Sequence, residues 1–127
     1  MAPLLQVFDM ATSIAFYRDV IGFEIVNTNT PQPPFDWVML KLGDVELMLN
    51  TAFENHQRPT AFDPARVKGH GDTALYFGCP DVDAAFEHLR AHGVEAEKPR
   101  VAPYGMKQLN VIDPDGYQLT FQWPATL

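Results

Sequence analysis

Apolar and polar positions follow two patterns along this chain, and the same order of patterns appears twice. Pro3–Val7 reads as a short strand. It leads to Asp9, whose carboxylate can accept a bond from an unpaired amide of a first helical turn. Ile14, Tyr17 and Ile21 then stand at i, i+3, i+7 spacing, the apolar stripe of a helix that Gly22 closes. Phe23–Asn27 predicts a second strand. After a loop carrying Pro31, Pro33 and Pro34 come two alternating stretches, Trp37–Leu42 and Val45–Asn50. They are joined by Gly43-Asp44, whose leading glycine suits a type II′ turn.

The second copy begins on a strand running through Tyr76 and Phe77. Asp81 takes the place of Asp9, and Val82, Ala85, Phe86 and Leu89 make a fuller stripe before Gly93. Val94–Glu97 predicts the next strand, and Lys98–Met106 a loop with Pro99 and Pro103. Lys107–Ile112 and Tyr117–Gln122 flank Asp113-Pro114-Asp115-Gly116, where proline presets φ and glycine accepts a positive φ. One residue of slack aligns the two copies. A repeat on this scale marks a duplicated supersecondary unit. The prediction is a single α+β domain, 1–127, made of two β-α-β-β-β modules, 1–50 and 70–123. The connector, 51–69, has few periodic apolar positions.

Composition narrows the function classes. The chain has 127 residues, 46% hydrophobic and 20% charged, the balance of a soluble domain. No apolar run approaches the roughly 20 residues of a membrane span, and no secretory signal opens the chain. The single cysteine, Cys79, cannot form an internal disulfide, which fits a reducing cytoplasm. A formal charge of −7 with scattered basic residues argues against nucleic acid and favours a small ligand, cationic ones above all.

The repeat, the segment from Asp9-Met10 through Ser13, Phe16-Tyr17 and Gly22-Phe23-Glu24, and the Asp113–Gly116 turn together resemble the vicinal oxygen chelate superfamily. Glyoxalase I, bleomycin-resistance proteins, extradiol dioxygenases and fosfomycin-resistance enzymes belong to it. The resemblance covers nearly the whole chain. It implies the glyoxalase/bleomycin-resistance-like fold, with curved mixed sheets around a cavity, and pairing as a homodimer. Metalloenzyme members take one ligand from the first and one from the last strand of each module. The matching positions here are Ala2, Ala74, Glu46 and Thr120. One carboxylate, two alanines and a threonine do not make a divalent site, so the expectation is no metal and no other cofactor. A strand slipped by two residues would bring Asp72 toward Glu46, with His70 beyond it, as a residual metal site.

Alternation then divides the strands into two rows. Val38, Leu40, Leu42, Val45, Leu47 and Leu49, with Leu109, Val111, Leu119 and Phe121, belong under the helices. Trp37, Met39, Glu46 and Met48, with Gln108, Asn110, Thr120 and Gln122, belong on the cavity side, joined by Leu4, Gln6 and Tyr76 from the first strands. This is the mostly apolar wall with few polar anchors that ligand sites use. A buried Glu46 would be a candidate base. His88 and His92 have helical metal-pair spacing but lie off the apolar stripe, and Cys79 has no evident base.

Two functions compete. One is a metal-independent small-molecule binding protein of the bleomycin-resistance type, with Gln6, Trp37, Met39, Met48, Tyr76, Asn110, Thr120 and Gln122 lining the site. The other is a glyoxalase- or isomerase-like enzyme, a relative of the lyases and dioxygenases, with Glu46 as base or metal ligand.

Overall fold

The computed structural model describes residues 1–53 and 57–125; residues 54–56 of the predicted connector, and 126–127, lie outside the described residues. In chain order the elements are β1 (Leu4–Val7), α1 (Met10–Ile14) with a π-helical continuation (Ala15–Ile21), β2 (Glu24–Thr28), β3 (Trp37–Leu42) and β4 (Val45–Thr51). There follow α2 (Pro64–Gly69) with a 3-10 turn (His70–Asp72), β5 (Ala74–Gly78), α3 (Val82–Ala91), β6 (Arg100–Val101), β7 (Met106–Ile112) and β8 (Gln118–Pro124). The fold is α+β, with two four-stranded mixed sheets ordered β1-β4-β3-β2 and β5-β8-β7-β6. In each, the first strand pairs parallel with the last and the others pair antiparallel. The chain divides into two compact units, Met1–Pro64 and a second beginning at Ala65, each holding one sheet. No helix among the described residues is long and apolar enough to cross a membrane.

In the first unit, Leu5, Val7, Val38, Leu40, Leu47 and Leu49 are buried on one face of the sheet, with Met10, Ile14 and Tyr17 of the helix also buried. Each such side chain contributes about 1.5–3 kcal/mol when fully buried. Leu42 and Val45, expected in the same row, pair across the hairpin tip and are exposed. Asp9 caps α1 as predicted, its carboxylate accepting from the amides of Ala11 and Thr12. The helix does not stay regular to Ile21. From Ala15 it widens to a π-helix, and the Tyr17 carbonyl accepts from both Gly22 and Phe23 at 3.0 and 2.9 Å. The wider turn rotates Ile21 off the stripe, leaving it half-buried beside fully buried Tyr17. Gly43 has φ +58 while no non-glycine residue among the described ones has positive φ, the combination a type II′ turn requires.

In the second unit, Asp81 caps α3, and Val82, Phe86 and Leu89 are buried. Val94–Glu97 does not form a strand. The Val94 amide is taken by the Leu89 carbonyl at 3.0 Å, and Pro99 has no N–H to give a ladder. Pairing with β7 therefore begins at Arg100 opposite Gln108.

The connector contains a helix that periodicity could not reveal, because α2 buries no residue. Pro64 opens it, a position where the missing N–H costs nothing. The helix is held by the turn between β7 and β8. Arg66 donates to the Asp115 carboxylate at 2.9 Å, and His70 Nδ1 bonds the Asp115 carbonyl at 2.7 Å. The His70 ring stacks on Tyr117, centroids 4.0 Å apart. Asp113 is buried and accepts the amides of Asp115 and Tyr117, each at 2.9 Å. Gly116 (φ +89) lies so close to Val67 that an added Cβ would stand 2.8 Å from its Cγ1 and 3.0 Å from its carbonyl carbon.

Candidate functional site

Strand register fixes which side chains share a face. In the first sheet Leu4, Met48 and Met39 stand opposite one another, as do Gln6, Asn50 and Trp37, and Glu46 and Lys41. These are the residues on the face away from the buried leucine row. Trp37, Met39 and Met48 are half-buried, while Gln6 and Glu46 are exposed. Glu46 is the ladder partner of Lys41 and is exposed, not buried. With its amide turned so that nitrogen donates, Gln6 reaches the carbonyls of Thr51 and Asn50 at 3.2 and 3.3 Å.

In the second sheet Tyr76, Thr120 and Asn110 form one row, and Gly78, Gln122, Gln108 and Arg100 the next. Thr120 is buried, and its hydroxyl donates to Asn110 Oδ1 at 2.7 Å. Gln108 Nε2 donates to Gln122 Oε1 at 2.9 Å and to the Tyr104 hydroxyl at 2.6 Å. Tyr76 leaves 58% of its surface exposed. Sequence alternation had no means of adding Tyr104, which reaches this face from the loop before β7, or Arg100, which the predicted loop concealed.

The four positions where the resemblance implies metal ligands do not fit a divalent ion. Ala2 and Ala74 carry no donor atom. The Thr120 hydroxyl is committed to Asn110, and Glu46 stands opposite a cation. His70, considered with Asp72 as a substitute, has its Nδ1 bound to the Asp115 carbonyl and its ring stacked on Tyr117. Asp72 is exposed in the 3-10 turn ahead of β5. Among the described residues no three His, Cys, Asp or Glu side chains gather as a metal set.

The remaining reactive groups stand apart. His92 Nδ1 bonds the His88 carbonyl at 2.8 Å, and both rings are exposed on α3. Burial pushes the Cys79 thiol up, only partly offset by the bond it makes to the Asp81 carbonyl, so the thiolate is disfavoured.

Fold and register together define a duplicated β-α-β-β-β protein, and comparison with known proteins agrees. The model of the Glyoxalase/Bleomycin resistance protein/Dioxygenase superfamily matches residues 2–121, and the chain belongs to that superfamily. It is 34% identical to the uncharacterized protein YaeR of Escherichia coli (strain K12), over 87% of this chain and 84% of that protein. It is 30% identical to a lactoylglutathione lyase of Haemophilus influenzae (strain ATCC 51907 / DSM 11121 / KW20 / Rd), over 93% and 87%. Among solved structures it resembles TioX from Micromonospora sp. ML1, with TM-score 0.75, 19% identity and 95% of each chain covered, a likeness of fold.

Proposed function

We propose that this protein is a metal-independent small-molecule binding protein of the bleomycin-resistance type, acting in the cytoplasm as a homodimer. The observation that carries the reading is the fate of the metal-ligand positions. Two are alanines, and Thr120 spends its hydroxyl on Asn110. What remains is a set of aromatic, thioether and amide side chains, the composition of a binding wall. In the first unit Trp37, Met39 and Met48 offer apolar contact and Gln6 a hydrogen bond; in the second Tyr76 offers apolar contact and Asn110, Thr120 and Gln122 hydrogen bonds.

A second reading has one observation in its favour, the 30% identity to a lactoylglutathione lyase. It makes the protein a lyase or isomerase with Glu46 as base.

The two separate in one preparation. Protein purified without a chelating tag is expected to carry no stoichiometric divalent metal, and chelator is expected to leave its melting temperature unchanged, since a metal bound only to the native state must stabilise it. Near one metal per chain would overturn the binding reading. So would turnover of lactoylglutathione that is lost in Glu46→Gln. Light scattering is expected to give twice the 14.3 kDa chain mass.

A further inference from the structure

Two imidazoles meet on the exposed side of α3. The helix turns Val82, Phe86 and Leu89 inward. His88 and His92, four residues apart and therefore neighbours on the helix surface, are both exposed. Their ring centroids lie 4.2 Å apart, with the planes tilted by 35°. The helix ends at Ala91, so His92 is its C-cap and folds its ring back onto the last turn.

The back-fold fixes the chemistry of the His92 ring. Its Nδ1 lies 2.8 Å from the His88 carbonyl, and a carbonyl only accepts, so Nδ1–H is the donor and neutral Nε2 keeps its lone pair. Turning the ring over would put a carbon at that distance, shorter than the roughly 3.3 Å of a C–H contact with oxygen. A ring nitrogen donating to a backbone carbonyl while the other stays a lone pair is how metal-ligating histidines are held. The ring separation adds a test of angle. An ion about 2.0 Å from each Nε2 stands roughly 3.2 Å from each centroid, which puts the centroids about 4.5 Å apart at a right angle and about 5.2 Å apart at a tetrahedral one. The observed 4.2 Å fits the right angle. The carbonyl end of the helix dipole favours a cation here, as does the −7 charge of the chain. Ala84, Ala85 and Ala91 border His88 on the helix surface and carry only methyls, while Arg90 lies about 200° around the axis from it.

From this geometry we infer that His88 and His92 form a two-imidazole site for a divalent ion of tetragonal preference, Cu(II) or Ni(II), with water in the other positions. Among the described residues no third His, Cys, Asp or Glu joins them. The right angle disfavours tetrahedral Zn(II), and Cu(II) stands highest in the affinity order for nitrogen ligands. The site belongs to the helix and stands whether or not the small-molecule reading does. With two protein ligands it empties on dialysis against chelator, so purified protein is still expected to be metal-free.

The test uses the full chain, dialysed against chelator and titrated by calorimetry with the chlorides of Cu(II), Ni(II) and Zn(II). Ni(II) is the parallel probe because the Cys79 thiol does not reduce it. One Cu(II) per chain is expected, saturating below about 1 mM, with an electron paramagnetic resonance spectrum showing two imidazole nitrogens and with Zn(II) at least about tenfold weaker. His88→Ala and His92→Ala are each expected to weaken Cu(II) and Ni(II) at least about tenfold, since each leaves one imidazole of a chelating pair. Both positions are exposed, and an unchanged circular dichroism spectrum checks that the variants fold. A single-nitrogen spectrum, Zn(II) bound as tightly as Cu(II), no saturation below about 1 mM, or a loss smaller than tenfold in either variant would each overturn the site. Failure of these titrations leaves the small-molecule reading standing. Near one metal per chain retained through purification by the double variant would overturn both.

Discussion

Replacing Gly116 with alanine tests how the connector is held against the β7–β8 turn. Two penalties act at this position. The first is conformational: a residue with a Cβ at φ +89 leaves the comfortable region at a cost of about 1–2 kcal/mol. Gly43, at φ +58 and with nothing within 4 Å of its added Cβ, bears that cost alone. The second penalty exists only at Gly116, where the methyl would lie 2.8 Å from Val67 Cγ1 and closer still to the Val67 carbonyl oxygen. A backbone carbonyl cannot swing aside, so α2 must move, and Arg66 moves with it. The Asp115 carboxylate that Arg66 bonds is 2% exposed against 17% for Arg66. Breaking such a pair while one charge stays buried costs about 3–5 kcal/mol.

Gly116→Ala is therefore expected to lose about 3–5 kcal/mol or more, and Gly43→Ala about 1–2 kcal/mol. Urea denaturation of both variants beside the parent measures the difference, with m compared to confirm that the unfolding transition is the same one. If the two substitutions cost the same within about 0.5 kcal/mol, the close approach to Val67 carries no energy and the argument for the clasp fails.

Asp113→Ala leaves two amides of a buried turn without the carboxylate that each reaches at 2.9 Å. It should destabilise by about 2–4 kcal/mol by urea titration, against about 1 kcal/mol for removing the half-exposed cap with Asp9→Ala; equal costs would refute the distinction. Because burial raises the Cys79 thiol, the pH profile of its alkylation by iodoacetamide should rise at higher pH in the native protein than in urea; a native midpoint at or below the unfolded one contradicts this. Trp37→Ala should weaken a planar ligand by about 1–3 kcal/mol in a fluorescence titration; unchanged affinity would place the ligand away from the first sheet.

The parts of the fold legible in the sequence were those decided within a few residues. Asp9 and Asp81 announce helix starts because a carboxylate reaches amides two or three positions on, and Gly22, Gly43, Gly93 and Gly116 mark positive φ where only glycine is at ease. Strand alternation put Leu40, Leu47, Leu109 and Leu119 on buried faces for the same local reason. The misreadings were decided elsewhere in the chain. Helix α2 has no apolar stripe because it is held by ion pair, ring stack and close backbone approach to residues near Asp115. The strand expected at Val94–Glu97 lost to a helix-closing bond in which the Val94 amide donates to the Leu89 carbonyl, and its partner β7 is met only at Arg100.

The candidate site is legible to a different depth. Period-two alternation names which side chains share a sheet face, but not what they do to one another once there. Gln108, Gln122, Asn110 and Thr120 are four neutral polar residues in the sequence, each able to donate and to accept. Only the register sets Gln108 against Gln122 and Asn110 against Thr120, so that each pair satisfies part of that capacity within the sheet. Thr120 shows how much turns on one position. A carboxylate there would be an acceptor only and would need a cation or a donor beside it; the hydroxyl can donate or accept, and it pairs with the Asn110 amide in the same row. Thr120→Glu would therefore bring two acceptors together beside a buried backbone, an arrangement stabilised only if Asn110 turns its nitrogen inward. Thr120 lies on the sheet face opposite Leu119 and Phe121 and is itself buried, so the cost of such an exchange falls on the polar row, where a carboxylate would need a donor or a cation beside it, and not on the packing of the leucine row.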